Sequence, residues 1–204
     1  MTDAGNRWDD TYAARADTEV SWYQALPERS LAMIQAAAPE TSAGIVDVGG
    51  GASRLVDGLL AEGYTDVSVL DVSAVALGRS KERLGALAGR VSWIVADVAD
   101  WRPERTWDVW HDRAVFHFLT EPRSRDAYIA ALRQGTRPGA AVIMATFAPT
   151  GPGQCSGLPV MRYSPASLAE CLGPDFALYE AAAEVHRTPS GSTQDFTYAA
   201  FRRK

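Results

Sequence analysis

The sequence predicts a doubly wound α/β fold built on a mostly parallel seven-stranded sheet whose last strand runs antiparallel. Three observations predict it. Short apolar runs alternate with segments of helical periodicity between about residues 44 and 147. A run of three glycines, Gly49-Gly50-Gly51, follows the first apolar run directly. The chain then finishes with two strand-like runs separated by Pro189-Ser190-Gly191-Ser192. Strands that alternate with helices are joined by crossovers, which lay helices on both faces of a parallel sheet. With 204 residues, 47% of them hydrophobic, the chain can enclose one substantial core. One domain, 1–204, is expected, with a helical segment 1–40 preceding an α/β core, 41–204, that ends in a hairpin.

From about Trp8 to Ala38 the pattern is helical, with a break near Pro27, whose ring suits the first turn of a new helix. Gly44 to Val48 is a short apolar run that delivers the glycines. Leu55, Leu59 and Leu60 then recur at helical spacing, so strand, glycine turn and helix succeed one another. Val67 to Leu70 reads as the second strand, Ser73 as the N-cap of a helix to about Leu87, and Val91 to Val95 as the third strand. Trp107 to His111 is the fourth strand and Glu121 to Gln134 a helix. Arg137-Pro138-Gly139 turns the chain into a fifth strand, Ala140 to Phe147. A Gly/Pro-rich loop, Pro149 to Pro159, leads to a helix beginning near Ser164-Pro165. The closing hairpin joins Phe176–Val185 to Phe196–Phe201.

Composition narrows the function classes. A formal net charge of -5 disfavours a surface made to neutralise a phosphate backbone, and the basic cluster Arg202-Arg203-Lys204 reads as a solvated tail end. No nucleic-acid partner is expected. The opening residues lack the basic start and apolar run of a secretory signal, and no stretch is apolar for long enough to cross a bilayer. Cys155 and Cys171 are too few for a disulfide framework and lack zinc-site spacing. A cytoplasmic protein with free thiols, no membrane contact and no metal is the expectation. Its oligomeric state is not written in the sequence.

The chemistry-bearing residues fall at strand ends. Asp47-Val48-Gly49-Gly50-Gly51 lets the backbone approach a ligand closely at the carboxyl edge of the sheet. Asp71 lies 20 residues after Gly51 at the end of the second strand, where a carboxylate can accept both hydroxyls of a ribose. Val72 adjoins it. Asp97 follows the third strand and can hydrogen-bond an adenine amino group, with Val98 or Trp101 against the ring. Each signal has a plainer reading: the glycines a turn, Asp71 part of the next helix cap, Asp97 a loop residue. Three of them at three successive strand ends point to a nucleotide-bearing cofactor. A nicotinamide dinucleotide would use the same Asp71, but its pattern wants a third glycine where this chain has Arg54. No Tyr-x-x-x-Lys pair for hydride transfer is present either.

Asp47-Val48-Gly49-Gly50-Gly51, Leu70-Asp71-Val72-Ser73 and Ala96-Asp97-Val98 together resemble the successive motifs of class I S-adenosylmethionine-dependent methyltransferases. The resemblance runs from the first strand to the last. It implies a Rossmann-like methyltransferase fold, S-adenosyl-L-methionine as cofactor, and Asp47, Gly49, Gly50, Gly51, Asp71, Val72, Asp97 and Val98 as the residues that bind it. Trp8-Asp9-Asp10-Thr11-Tyr12 and Ser21-Trp22-Tyr23-Gln24 further resemble the subgroup that contains the citrate synthase and elongation factor 1A lysine methyltransferases. That likeness implies a segment 1–40 lying as a cap over the cofactor, with Trp8, Tyr12, Trp22 and Tyr23 near its methionine end. Aromatic faces beside a sulfonium gain cation–π attraction. The plainer alternative is that these aromatics pack an N-terminal helix.

Methyl transfer from a sulfonium is an in-line displacement, so alignment and exclusion of water carry most of the catalysis. The fourth strand ends in Trp110-His111-Asp112-Arg113, followed by His117-Phe118-Leu119. Asp112, the post-strand acid that the resemblance marks, His117 and His111 are therefore the candidates for positioning an acceptor or removing its proton. The structural alternatives are an ion pair or cap for Asp112 and a satisfied buried histidine at 117. Cys155 reads as a pocket-lining thiol, and Arg162 with Tyr163 as a possible grip on an acceptor carboxylate. The expected reaction is methyl transfer to a small molecule or to a protein side chain. An NAD(P)-dependent oxidoreductase and a non-catalytic cofactor-binding module are the alternatives.

Overall fold

In the computed structural model, which describes residues 3–204, α1 (Asp3–Ala14) and α2 (Glu28–Ala37) precede the sheet. The chain then runs β1 (Gly44–Val48), α3 (Leu55–Ala61), β2 (Asp66–Asp71), α4 (Ala74–Leu84), β3 (Val91–Val95), β4 (Trp107–Arg113), α5 (Pro122–Gly135) and β5 (Thr136–Phe147). A two-residue ladder, β6 (Gln154–Cys155) with β7 (Leu158–Pro159), precedes α6 (Pro165–Leu172). The strands β8 (Phe176–Arg187) and β9 (Thr193–Arg203) finish the fold.

Seven strands form one sheet in the order β3-β2-β1-β4-β5-β9-β8. The five strands from β3 to β5 pair in parallel; β9 enters between β5 and β8 and is antiparallel to both. The sheet is thus Rossmann-like and mostly parallel with an antiparallel last strand. Alternation along the strands sorts side chains between two cores. Ile45, Val67, Val109 and Ile143 face Leu31 and Ile34 of α2 and Leu55 and Leu59 of α3. Val46, Trp110, Val142 and Ala199 face Tyr128 and Leu132 of α5 and Leu168 and Leu172 of α6.

Local chemistry accounts for the ends of these elements. Ser73 caps α4 by accepting from Ala76 N–H at 3.0 Å, and its own hydroxyl donates to Asp9 of α1 at 2.6 Å. Asp9 also accepts from Val75 N–H at 3.1 Å, so α1 is tied to the start of α4. Ser164 caps α6 with Pro165 in its first turn. Gly191, at φ +88°, closes the β8–β9 hairpin.

Three expectations are corrected. The helical reading of Trp8–Ala38 fails between residues 15 and 27, where a single helical turn remains at Asp17–Glu19. Arg79 draws the Arg15 carbonyl (2.7 Å) and Asp17 (2.7 Å) out of helical pairing. The fifth strand begins at Thr136, because the Arg137-Pro138-Gly139 segment is itself extended. Arg202 and Arg203 are no solvated tail. They pair within β9, where Arg202 lies over the Tyr179 ring and Arg203 over Phe176, 3.5 Å from Asp175. Among the described residues no helix is long and apolar enough to cross a membrane.

Candidate active site

The carboxyl edge of the parallel strands opens into a cavity of about 340 Å³ roofed by α1 and the segment after it. Gly49 lines its floor, and Gly50 and Gly51 continue the turn beneath it. Gly49 and Gly51 have φ of +70° and +39°, a region that favours glycine. A Cβ on Gly49 would lie 1.9 Å from Val115, on Gly50 2.5 Å from Asp47, and on Gly51 2.7 Å from Asp71. All three positions therefore need a bare backbone. The turn is held by Gly49 N–H and Gly50 N–H, which donate to the Leu70 carbonyl at 2.7 and 3.2 Å.

Asp71, Val72, Asp97 and Val98 line the cavity beyond the glycines. Ser73 N–H holds one Asp71 oxygen at 2.8 Å, while burial pushes the carboxyl up to about 7, helped by the nearby Asp47 and Asp9 charges. Asp97 accepts from Ala99 N–H at 3.0 Å. Trp101 is not in the cavity. It stacks on Trp107 and Trp110, with centroids 5.5 and 5.8 Å away, leaving Val98 as the apolar neighbour of Asp97.

The roof is aromatic. Trp8, Tyr12, Trp22 and Phe118 meet edge to face, Trp8 with Trp22 at 5.6 Å, Trp8 with Phe118 at 5.4 Å and Tyr12 with Trp22 at 6.0 Å. Trp22 Nε1–H donates to the Tyr12 hydroxyl at 3.2 Å. All four rings line the cavity.

Asp47 faces a narrower recess of about 50 Å³ that adjoins the cavity and shares Tyr12, Trp22, Gly49 and Arg113 with it. His111 is 2.7 Å from Asp47 through Nδ1 and 2.9 Å from the Ser30 hydroxyl through Nε2. A carboxylate only accepts, so Nδ1 carries a proton. His111 thus fastens β1 to α2 at the edge of the recess, with both ring nitrogens engaged.

Two of the candidates for acceptor chemistry lie elsewhere. Asp112 points to the opposite face of β4 from His111, away from the cavity, as strand alternation requires. It accepts from the Tyr128 hydroxyl at 2.7 Å, Val115 N–H at 2.9 Å and Phe116 N–H at 3.1 Å, and burial pushes it up to about 6. Its work is to hold the turn at residues 114–118, where Ala114 sits at φ +69°. His117 is fully buried between Phe118 and Phe147. Phe147 N–H donates to its Nδ1 at 3.3 Å, and burial together with the Arg113 charge lowers it to about 3. The ring is therefore neutral with its proton on Nε2, and its one lone pair is already used. Neither residue is placed to take a proton from an acceptor in the cavity.

Arg162 and Tyr163 are also outside. Arg162 donates to the Pro149 carbonyl at 3.1 Å, and Tyr163 is buried against Phe116. Cys155 does line the cavity, as do Leu158 and Pro159 of the same loop; burial raises its thiol. The cavity residue that sequence reasoning missed is Arg113, at the end of β4. Its Nε donates to the Tyr198 hydroxyl at 3.2 Å and its Nη1 to the Trp22 carbonyl at 3.1 Å. Its place beside His111 and Asp112 was the available signal.

Residues 45–139 match the family model described as a methyltransferase domain. Among solved structures, an S-adenosylmethionine-dependent methyltransferase from Anabaena variabilis aligns with a TM-score of 0.76 at 16% identity, over 100% of this chain and 96% of that one. The N-methyltransferase NodS from Bradyrhizobium japonicum, solved with S-adenosyl-L-homocysteine, aligns at 0.72 and 16% identity, over 98% and 99%. A structure concerned with conversion of a disulfide bond into a thioacetal group during echinomycin biosynthesis aligns at 0.77 and 20% identity, over 98% and 92%. No curated protein matches the chain in sequence. Residues 45–139 are thus similar to a methyltransferase domain, and they sit in a fold that the whole chain shares with S-adenosylmethionine-dependent methyltransferases.

Proposed function

We propose that the protein transfers the methyl group of S-adenosylmethionine to a small molecule, and that the cavity under α1 takes both cofactor and acceptor. The observation that carries this reading is the convergence of Gly49, Asp71 and Asp97 on one cavity roofed by Trp8, Tyr12 and Trp22. The residues fit such a cofactor: the glycines leave a cradle that a single Cβ would fill, and Asp71 presents a buried carboxylate beside it.

In this reading Asp71 accepts the ribose hydroxyls, Asp97 the adenine amino group, and Val72 and Val98 pack the adenosine. Asp47 faces the ammonium end from its recess. The cofactor brings an electrophilic methyl on a sulfonium, and the chain supplies alignment and dryness. Trp8, Tyr12, Trp22 and Phe118 exclude water and offer ring faces to a cation. His111 orients Asp47, and Asp112 and His117 hold the turn and loop behind Arg113. Among the described residues neither Asp112 nor His117 reaches the cavity as a base, so in this reading the acceptor atom enters as a competent nucleophile. The segment 1–40 acts as a cap on a single domain, with the acceptor opposite the glycines near Cys155.

The test is calorimetric titration with S-adenosylhomocysteine and, separately, with NAD and NADP. Micromolar binding of the first alone, about -8 kcal/mol, is the expected result. Binding of a nicotinamide cofactor instead would return the oxidoreductase reading. A protein lysine is the second acceptor class, supported by the likeness of Trp8-Asp9-Asp10-Thr11-Tyr12 to the citrate synthase and elongation factor 1A methyltransferases.

A further inference from the structure

We infer that Arg113 is a specificity residue that binds an anionic group, most simply a carboxylate, on a small acceptor with an apolar body. The inference rests on the reading above and goes on to name the acceptor's chemistry. Arg113 is half-buried at the cavity wall, and its hydrogen-bond and ring partners among the described residues are neutral groups. Those contacts are the Tyr198 hydroxyl at 3.2 Å, the Trp22 carbonyl at 3.1 Å and the Phe196 ring at 4.7 Å.

Among the described residues no carboxylate pairs with it, and its buried Nη2 has no hydrogen-bond partner. Several other arginines are supplied with acids, Arg29 with Glu184, Arg79 with Asp17, Arg83 with Asp57 and Arg133 with Asp175, while Arg125 bonds to carbonyls alone. A guanidinium withdrawn from water without a counter-charge is costly, and a planar fork with a spare donor suits an oxyanion. Its uncompensated field is felt nearby, since it helps hold His117 and His186 uncharged.

Position favours the acceptor over the cofactor as the source of that anion. Tyr198 and Phe196 belong to β9, two strands beyond β4, whereas the glycines and Asp71 lie on the β1 and β2 side. The guanidinium also borders the recess of Asp47, Gly49 and Gly50, but its anchors, Tyr198 and Phe196, draw it toward β9 and away from Asp71. Around it the walls are apolar: Val115, Phe118, Leu119 and Leu158. A lysine ammonium would meet a like charge here, with no acid on this side of the cavity to offset it, because the lining carboxylates are Asp71 and Asp97.

The experiment uses the whole protein saturated with S-adenosylhomocysteine and two probes of one shape, phenylacetate and the neutral phenylacetamide. The expected result is at least tenfold tighter binding of the carboxylate by the native protein. Arg113→Gln should bring the two probes within about twofold of each other while S-adenosylhomocysteine affinity changes less than threefold. Arg113→Lys, which keeps the charge and loses the fork, should fall between, and it carries the test if the Gln variant does not fold. Equal or absent binding of the two probes to the native protein would overturn the inference. So would a tenfold or greater loss of S-adenosylhomocysteine affinity in Arg113→Gln, which would assign Arg113 to the cofactor's own carboxylate. Failure of the native protein to bind S-adenosylhomocysteine at all would instead bring down the cofactor reading, and the inference with it.

Discussion

Asp71 concentrates the conflict between stability and binding in a single side chain. It is 7% exposed and its carboxyl is pushed up to about 7, chiefly by burial. A folded-state value above the unfolded one means that the folded chain holds the proton more tightly. The associated stability is fully present below the unfolded value near 4 and is lost as pH rises through about 7. Accepting two ribose hydroxyls requires the ionised form, so affinity for S-adenosylhomocysteine should rise between pH 6 and 8. Asp71→Asn should remove that pH dependence and weaken binding at pH 8 at least tenfold. It should also stabilise the free protein there by up to about 4 kcal/mol, checked by calorimetry and urea unfolding over the same pH range. A flat profile in the native protein would show that Asp71 is ionised throughout. Asp71 and Asp97 could be chosen from sequence because strand-end positions fix where such side chains emerge, and both line the cavity. Arg113 and His117 could not be read this way. What decides Arg113 is the lack of an acid partner in space, and what decides His117 is a backbone N–H thirty residues away, at Phe147.

At the scale of elements, the turn between β4 and α5 depends on Asp112. Its carboxylate takes three buried donors, the Tyr128 hydroxyl and the Val115 and Phe116 amides. The turn it holds places Val115 and Phe118 on the cavity wall and Ala114 in a left-handed conformation. Asp112→Ala leaves those donors unpaired, at roughly 1–3 kcal/mol each, and should cost about 3–5 kcal/mol in all. Urea unfolding measures the loss. Asp112→Asn keeps acceptors for the two amides and should cost less than half as much. Binding of S-adenosylhomocysteine should fall along with stability in Asp112→Ala, because the cavity wall moves. A variant with native stability and lost turnover would make Asp112 catalytic after all. The elements themselves were largely legible: β1 and β3 have the predicted bounds, Ser73 caps the helix it was expected to cap, and α6 begins at the expected Ser164-Pro165. Apolar period and cap chemistry are local and survive into the fold. The stretch from Arg15 to Pro27 was misread as helix because its conformation is set by Arg79, more than fifty residues away.

For the whole molecule, the cavity is a joint between the N-terminal segment and the strand ends. The N-terminal segment is held to the core by Asp9 on Ser73 and Val75, by Asp17 on Arg79, and by the Trp22 carbonyl on Arg113. Its large rings, Trp8, Tyr12 and Trp22, line the cavity. A ligand bound there touches the roof and the strand ends together, so binding should order the roof. At one hundred times its dissociation constant, S-adenosylhomocysteine should add about 2.7 kcal/mol to stability. That corresponds to a rise in Tm of roughly 5–10 °C for a chain of this size. The gain should not be uniform. Hydrogen exchange should slow most over residues 5–23 and in the β6–β7 loop around Cys155, with little change in β8 and β9, which lie at the far side of the sheet from the glycines. If protection instead rose evenly along the chain, or spared residues 5–23, the N-terminal segment would be a packed helix that the ligand does not touch. The aromatic cluster would then be core and not cover.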